Sequence, residues 1–226
     1  MTVRELSPSD IPEVARIHLA AFPESVLSKL GAGPVSGYYR WLMTGPHDLY
    51  AVGVEENGRL LGFAFTGIFR GAASGFIRHN WLSLSGHLLL RPWLIFKVRD
   101  RLGLATIWRL LSAALTMRKP RVNSTPPAPL PVAPAPATSD RPFGVLSIAT
   151  DPSVQRRGVG GLLMDAAESR ASQLGYSSVY LTVHPSNTRA LSFYERGGWT
   201  RILDSDGEFR GSMKKVVIPA GSQRES

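Results

Sequence analysis

The sequence predicts an α/β fold in which strands and helices alternate along one domain-sized chain. Three observations predict it. A chain of 226 residues that is 43% apolar and 9% aromatic can bury a sizeable core. Short apolar or alternating runs, suited to strands, take turns with runs whose apolar residues recur at helical spacing. Turn residues punctuate them at Asn57-Gly58, at Gly158 to Gly161 and at Ser205-Asp206-Gly207.

In order, Val3–Leu6 reads as a strand and Ile11–Ala21 as a helix. Ser9 or Asp10 can cap that helix, and Ile11, Val14, Ile17 and Ala21 share one face. Pro23 ends it. Shorter helices are expected over Val26–Leu30 and Ser36–Met43, parted by Gly31-Ala32-Gly33-Pro34. Strands come next at Leu49–Glu55 and Leu60–Phe69, joined by the hairpin signal Asn57-Gly58. Two helices are expected at about Ile77–Leu90 and Trp93–Met117, broken at Arg91-Pro92. The six prolines between Pro126 and Ala137 suit neither helix nor central strand and read as a polyproline-type linker. Beyond it lie a strand at Val145–Ala149, a helix at Leu162–Leu174 and a strand at Ser178–His184. A helix carrying Ala190, Phe193 and Tyr194 closes at Arg196-Gly197-Gly198-Trp199, and strands at Thr200–Asp204 and Phe209–Val217 form a last hairpin.

Charge is unevenly spread. The formal net charge is +9, and between Arg78 and Arg121 nine Lys and Arg residues face one acid, Asp100. With Trp81, Trp93 and Trp108 among Leu, Ile and Phe, this segment fits an amphipathic helical pair over the core, or peripheral contact with an anionic membrane. It carries no recognisable nucleic-acid-binding motif. The chain has no cysteine, which excludes disulfides and Cys-based zinc sites, and its five histidines are scattered, so no metal is expected. The first residues lack the apolar core of a secretory signal, and no apolar run reaches the length of about 18 residues that spans a bilayer. A cytoplasmic protein is expected.

The chemistry is carried by Gln155-Arg156-Arg157-Gly158-Val159-Gly160-Gly161, set between a strand and a helix. Glycines there let backbone N–H groups at a helix N-terminus approach an anion, and the two arginines add charge. The third glycine of a dinucleotide fingerprint is missing, as is the Gly-Lys-Ser/Thr of a P-loop. A second block contains Asn187, Ala190, Tyr194, Gly198 and Trp199.

With Gln155, Gly158 and Gly160 matching Q/R-x-x-G-x-G/A, and the second block matching N-x-x-A-x-x-x-Y before a Gly and an aromatic, the chain resembles the GNAT superfamily of acyl-CoA-dependent N-acetyltransferases. The resemblance implies a central mixed, mostly antiparallel sheet, splayed between strands 4 and 5 and flanked by helices. One domain over residues 1–218 is then expected, with a basic helical insertion at 78–121 and a Pro/Ala-rich linker at 122–142 between strands 3 and 4, and a tail at 219–226. It implies acetyl-CoA as acyl donor, and a small-molecule or peptide amine as acceptor. Ile148, Ala149 and Thr150 would pair with the pantetheine arm, the stretch from Gln155 to Gly161 would hold the pyrophosphate, and Asn187 would contact the cofactor or cap its helix. Tyr194 would be the general acid.

The general base is less legible. Ribosomal-protein-type relatives carry a glutamate where this chain has Thr182, which cannot serve. His184 shares a strand face with Thr182 and is the candidate base, with Glu24, Asp48 and Asp151 as alternatives. Two other readings remain open: a non-catalytic acyl-CoA-binding regulatory module, and a membrane-peripheral acyltransferase using longer acyl chains or a lipid-linked sugar acceptor.

Overall fold

The structure, a computed structural model, describes residues 1–69, 72, 75–78 and 142–220. The chain divides into two units, Met1–Phe76 with Ala137–Ser226, and Ile77–Pro136. The two helices expected between Ile77 and Met117 lie outside the described residues apart from their first two positions, as do the linker up to residue 141 and the last six residues of the tail.

In the first unit, seven strands form one mixed sheet in the order β1-β2-β3-β4-β5-β7-β6. They are β1 (Thr2–Glu5), β2 (Asp48–Glu56), β3 (Arg59–Ile68), β4 (Phe143–Thr150), β5 (Ser178–Thr182), β6 (Thr200–Leu203) and β7 (Phe209–Val216). Every neighbouring pair is antiparallel except β4–β5. The helices are α1 (Ile11–Ala21), α2 (Val26–Leu30), α3 (Ala32–Thr44), α4 (Val159–Gln173) and α5 (Thr188–Arg196). This is the expected mixed sheet between helical layers.

Strand alternation sorts the layers. Phe63 and Phe65 pack with α1 and α3 through Val14, Ile17, Val35, Tyr39 and Leu42. Ala64, Val52 and Val54, which point the other way, pack with Val159 and Leu163 of α4. Further along that second face, Met164 and Ala167 of α4 join Leu191 and Tyr194 of α5 over Val179, Leu181 and Met213.

A cap and several boundaries differ from expectation, these four each for a local reason. Asp10 precedes α1 without capping it, because its carboxylate accepts from the Ser7 N–H (2.7 Å) and the Arg4 guanidinium (2.7 Å). Helix α3 begins at Ala32, before Pro34. A proline in the first turn costs nothing there, since that turn's N–H groups have no intrahelical acceptor. Helix α4 begins at Val159, three residues ahead of Leu162, because its two further glycines likewise fall in the first turn. Strand β5 stops at Thr182, and His184 belongs to a turn whose carbonyl accepts from the Asn187 N–H (2.8 Å). The β2–β3 hairpin is as read, with Asn57 and Gly58 at φ 52° and 75°, the signature of a type I′ turn.

A polar chain crosses the α1–α3 core. His18 Nδ1 lies 2.8 Å from the Tyr39 hydroxyl, which lies 2.9 Å from Ser147 Oγ on β4. Burial lowers the His18 pKa from 6.5 to about 4. The unfolded chain therefore takes up a proton that the folded one refuses. The stability this gives is complete above about pH 6.5 and is lost as pH falls towards 4. The melting temperature should fall over that window, by the equivalent of up to about 3 kcal/mol, and His18→Gln should flatten the fall. An equally steep fall in the variant would assign the loss to other groups.

Candidate active site

Strands β4 and β5 pair only at Phe143↔Val179, Gly144↔Tyr180 and Val145↔Leu181. On its other edge β4 pairs Ser147 with Phe65 and Val145 with Thr66, which leaves Leu146 as an extra residue, a β-bulge. A bulge bends its strand. Pairing with β5 ends where the bulge begins, so the rest of β4 keeps β3 on one edge and, among the described residues, has no strand on the other. That divergence is the expected splay.

A cleft of about 630 Å³ opens there, a size suited to a small-molecule ligand. Its lining includes Ala21 and Phe22 at the end of α1, and Ile148, Ala149 and Thr150 of β4. Gln155 and Arg156 of the loop and Gly158, Val159, Gly160 and Gly161 at the start of α4 continue it. Asn187, Arg189, Phe193, Tyr194 and Arg196 close it from α5. All the sequence-predicted cradle residues meet here except Arg157. Its Nη2 donates to both carboxylate oxygens of Glu56 (3.0 and 2.8 Å), beside the β2–β3 turn.

Three local features hold the cradle in place. Gly62 on β3 lets α4 sit close to the sheet, since a Cβ there would lie 2.8 Å from the Ala149 carbonyl oxygen and 2.9 Å from Val159 Cγ1. Asp151, 4% exposed, anchors the chain leaving β4. It accepts from Arg16 and Arg59 (both 2.8 Å) and from the Ser153 N–H and hydroxyl (2.9 and 2.7 Å). The loop then turns through Arg156 at φ 68° and Gly158 at φ 82°. Left-handed backbone at a residue with a Cβ, as at Arg156, is uncommon and tends to mark functional loops. Gly158, as the N-cap of α4, has no side chain to offer, so the first N–H groups of the helix are uncapped. By contrast, Asn187 Oδ1 accepts from the Ala190 N–H (3.1 Å) and caps α5 while also lining the cleft.

Tyr194 is 9% exposed and packs edge-on against Phe193, with ring centroids 5.3 Å apart. Among the described residues its hydroxyl has no hydrogen-bond partner. Burial pushes its pKa up to about 12, so the proton stays on the phenol at neutral pH. Trp199 Nε1 donates to Glu168 (3.1 Å), which also pairs with Lys215 (2.6 Å), fixing the chain after α5 against α4 and β7.

The candidate bases lie elsewhere. His184 is exposed and outside the lining, and its Nδ1 lies 2.8 Å from the Ser186 hydroxyl. Glu24 pairs with Lys29 (2.7 Å), and Asp48 is exposed at the start of β2. Burial works to raise the Asp151 pKa, but its bonds from Ser153 and the two arginines outweigh it and hold the carboxyl well below the usual range. No carboxylate lines the cleft among the described residues, whereas three arginines do. Arg189 and Arg196 were missed in the sequence. Their spacing with Phe193, i, i+4 and i+7, is the signal that places them on one helical face.

Residues 130–199 match the model of the acetyltransferase (GNAT) family. Over that segment the chain is similar to the acetyltransferases of this family. The matched segment contains β4, α4, β5 and α5, hence the whole cradle and Tyr194. Solved structures share the fold. The ribosomal-protein-S18-alanine N-acetyltransferase of Escherichia coli is 16% identical with a TM-score of 0.52, over 97% of this chain and 96% of that one. Ard1 of Thermoplasma volcanium is 20% identical with a TM-score of 0.51, over 96% and 97%. The PaiA N-acetyltransferase of Thermoplasma acidophilum, solved with coenzyme A, is 12% identical with a TM-score of 0.53, over 95% and 98%. Among the described residues no helix is long and apolar enough to cross a membrane, and no cluster of side chains could hold a metal.

Gly62→Ala should push the first turn of α4 off the sheet. The expected cost is about 1–3 kcal/mol of stability, read from the urea midpoint, with weaker acetyl-CoA binding. Unchanged binding would show that this contact does not position the cradle.

Proposed function

We propose that this protein transfers an acetyl group from acetyl-CoA to a primary amine by direct attack. One observation carries the reading: a strand edge with no partner among the described residues, an uncapped helix N-terminus and a tyrosine hydroxyl converge on a single cleft lined by three arginines and no described carboxylate. Each part suits one portion of the donor. The backbone of Ile148 to Thr150 offers the pantetheine amides the hydrogen bonds that β5 would otherwise make. The N–H groups of Val159, Gly160 and Gly161, at the positive end of the α4 dipole, suit the pyrophosphate. Arg156, Arg189 and Arg196 add charge complementary to phosphate.

Bound there, acetyl-CoA supplies a thioester carbonyl for the amine to attack and a thiolate that leaves. A β4 backbone N–H polarises the carbonyl oxygen, and the Tyr194 hydroxyl protonates the leaving sulfur. His184 stands outside the cleft with Nδ1 held by Ser186, so it is not placed to take the amine proton directly. The acceptor is a small-molecule or peptide amine.

Calorimetric titration with acetyl-CoA should give saturable one-site binding in the micromolar range. At Gly160 a Cβ would already stand 3.3 Å from Phe193 Cζ, so Gly160→Asp adds both bulk and negative charge to the cradle. It should weaken binding by at least about 10-fold, or 1.4 kcal/mol. Tyr194→Phe should keep the affinity and lower turnover by about 100-fold. Wild-type affinity in the first variant would move the cofactor elsewhere, and an unaltered rate in the second would remove Tyr194 from the chemistry.

A further inference from the structure

The chain from His18 to Ser147 has a direction that its hydrogen bonds determine. The Ser28 N–H donates to Ser25 Oγ (3.0 Å), and the Ser25 hydroxyl donates in turn to Ser28 Oγ (2.8 Å). With its proton committed, Ser25 Oγ faces His18 Nε2, 3.4 Å away, as an acceptor, which puts the ring proton on Nε2. His18 Nδ1 is then bare and accepts a hydrogen bond from the Tyr39 hydroxyl. The Tyr39 oxygen, having donated, accepts from Ser147 Oγ–H. Every side-chain donor points the same way, from β4 towards the α1–α2 segment.

The chain begins beside the cleft. Ser147 lies past the bulge, in the stretch of β4 that β5 does not cover, and on the same strand face as the cleft-lining Ala149. It then crosses an apolar cluster containing Val14, Phe63 and Phe65, where an unpaired polar group would be costly. Phe22, which lines the cleft, packs edge-on against the His18 ring at 5.1 Å.

We propose that Ser147, Tyr39 and His18 form a proton relay that drains the attacking amine into the α1–α2 segment. The inference rests on the acetyl-transfer reading above and supplies a proton acceptor, which the described lining of the cleft lacks. As the amine N–H bond breaks, an O–H bond forms at Ser147. The original Ser147 proton passes to Tyr39, the Tyr39 proton to His18 Nδ1, and the Nε2 proton leaves through Ser25 and Ser28 to water. One proton enters and one leaves. Rotation of the hydroxyls and return of the ring tautomer reset the chain. His18 and Tyr39 act through Ser147 and are positioning residues. The charged side chains around them are engaged elsewhere: Lys29 of α2 with Glu24 (2.7 Å), and Arg16 of α1 with Glu13 (3.0 Å) and Asp151 (2.8 Å). On α3, Tyr38 packs edge-on against Tyr39. Among the described residues no carboxylate or cation is hydrogen-bonded to the His18 ring.

The test is single-turnover acetyl transfer by the full chain, saturated with acetyl-CoA, to the amine that wild type acetylates best, at pH 7 and pH 9.5. Tyr39→Phe, Ser147→Ala and His18→Gln should each slow transfer by about 100-fold at pH 7. At pH 9.5, where the amine arrives deprotonated, the loss should shrink to about 2-fold or less, with acetyl-CoA affinity unchanged throughout. Equal losses at both pH values would make the chain a structural brace and overturn the relay, as would wild-type rates at pH 7. Tyr39→Phe keeps the ring that fills the core, so it gives the decisive rate even if His18→Gln folds poorly. A wild-type protein that acetylates no amine would bring down the functional reading, and the relay with it. Active wild type with pH-independent losses brings down the relay alone.

Discussion

Strands β4 and β5 part after three residue pairs, and the rest of the site depends on that separation. A strand inside a sheet normally has both edges satisfied, because a buried backbone N–H or C=O without a partner is expensive. Past the bulge at Leu146, β4 keeps β3 and gives up β5, leaving polar backbone directed into a cleft. Such an edge is stable when water or a ligand takes the place of the missing strand. The bulge is thus the local defect from which the cleft opens.

The sequence on either side keeps the opening in register. Gly62 admits α4 close to β3, so the glycine-rich first turn of that helix stands beside the open edge. Asp151 gathers Arg16 from α1, Arg59 from β3 and Ser153 from the loop. The α1 wall, the sheet and the cradle are thereby tied at one buried carboxylate. Its ion pairs are positional, and they remove Asp151 from any role as a base.

Much of this was legible in the chain. The alternation of strands and helices, the Asn57-Gly58 turn and the limits of α1 and α2 are set by periodicity and turn chemistry, which are local. The starts of α3 and α4 were misread because Pro34, Gly160 and Gly161 look like breakers, and only the first turn of a helix tolerates them freely. Leu146 carries no mark of a bulge, since a bulge is defined by its cross-strand partner. Asn187 carried two readings; it caps α5, and it lines the cleft. Arg157 looked like part of the cradle until Glu56, distant in sequence, claimed it. His18, Tyr39 and Ser147 are far apart along the chain, so nothing local joins them.

The central claim is that the open edge of β4 and the first turn of α4 receive the acyl donor. Amide hydrogen exchange, resolved residue by residue with and without acetyl-CoA, addresses it directly. The account predicts new protection at residues 146–150 and 158–162, with β1 and β2 unchanged. Protection confined to other elements, or none at saturating acetyl-CoA, would contradict it.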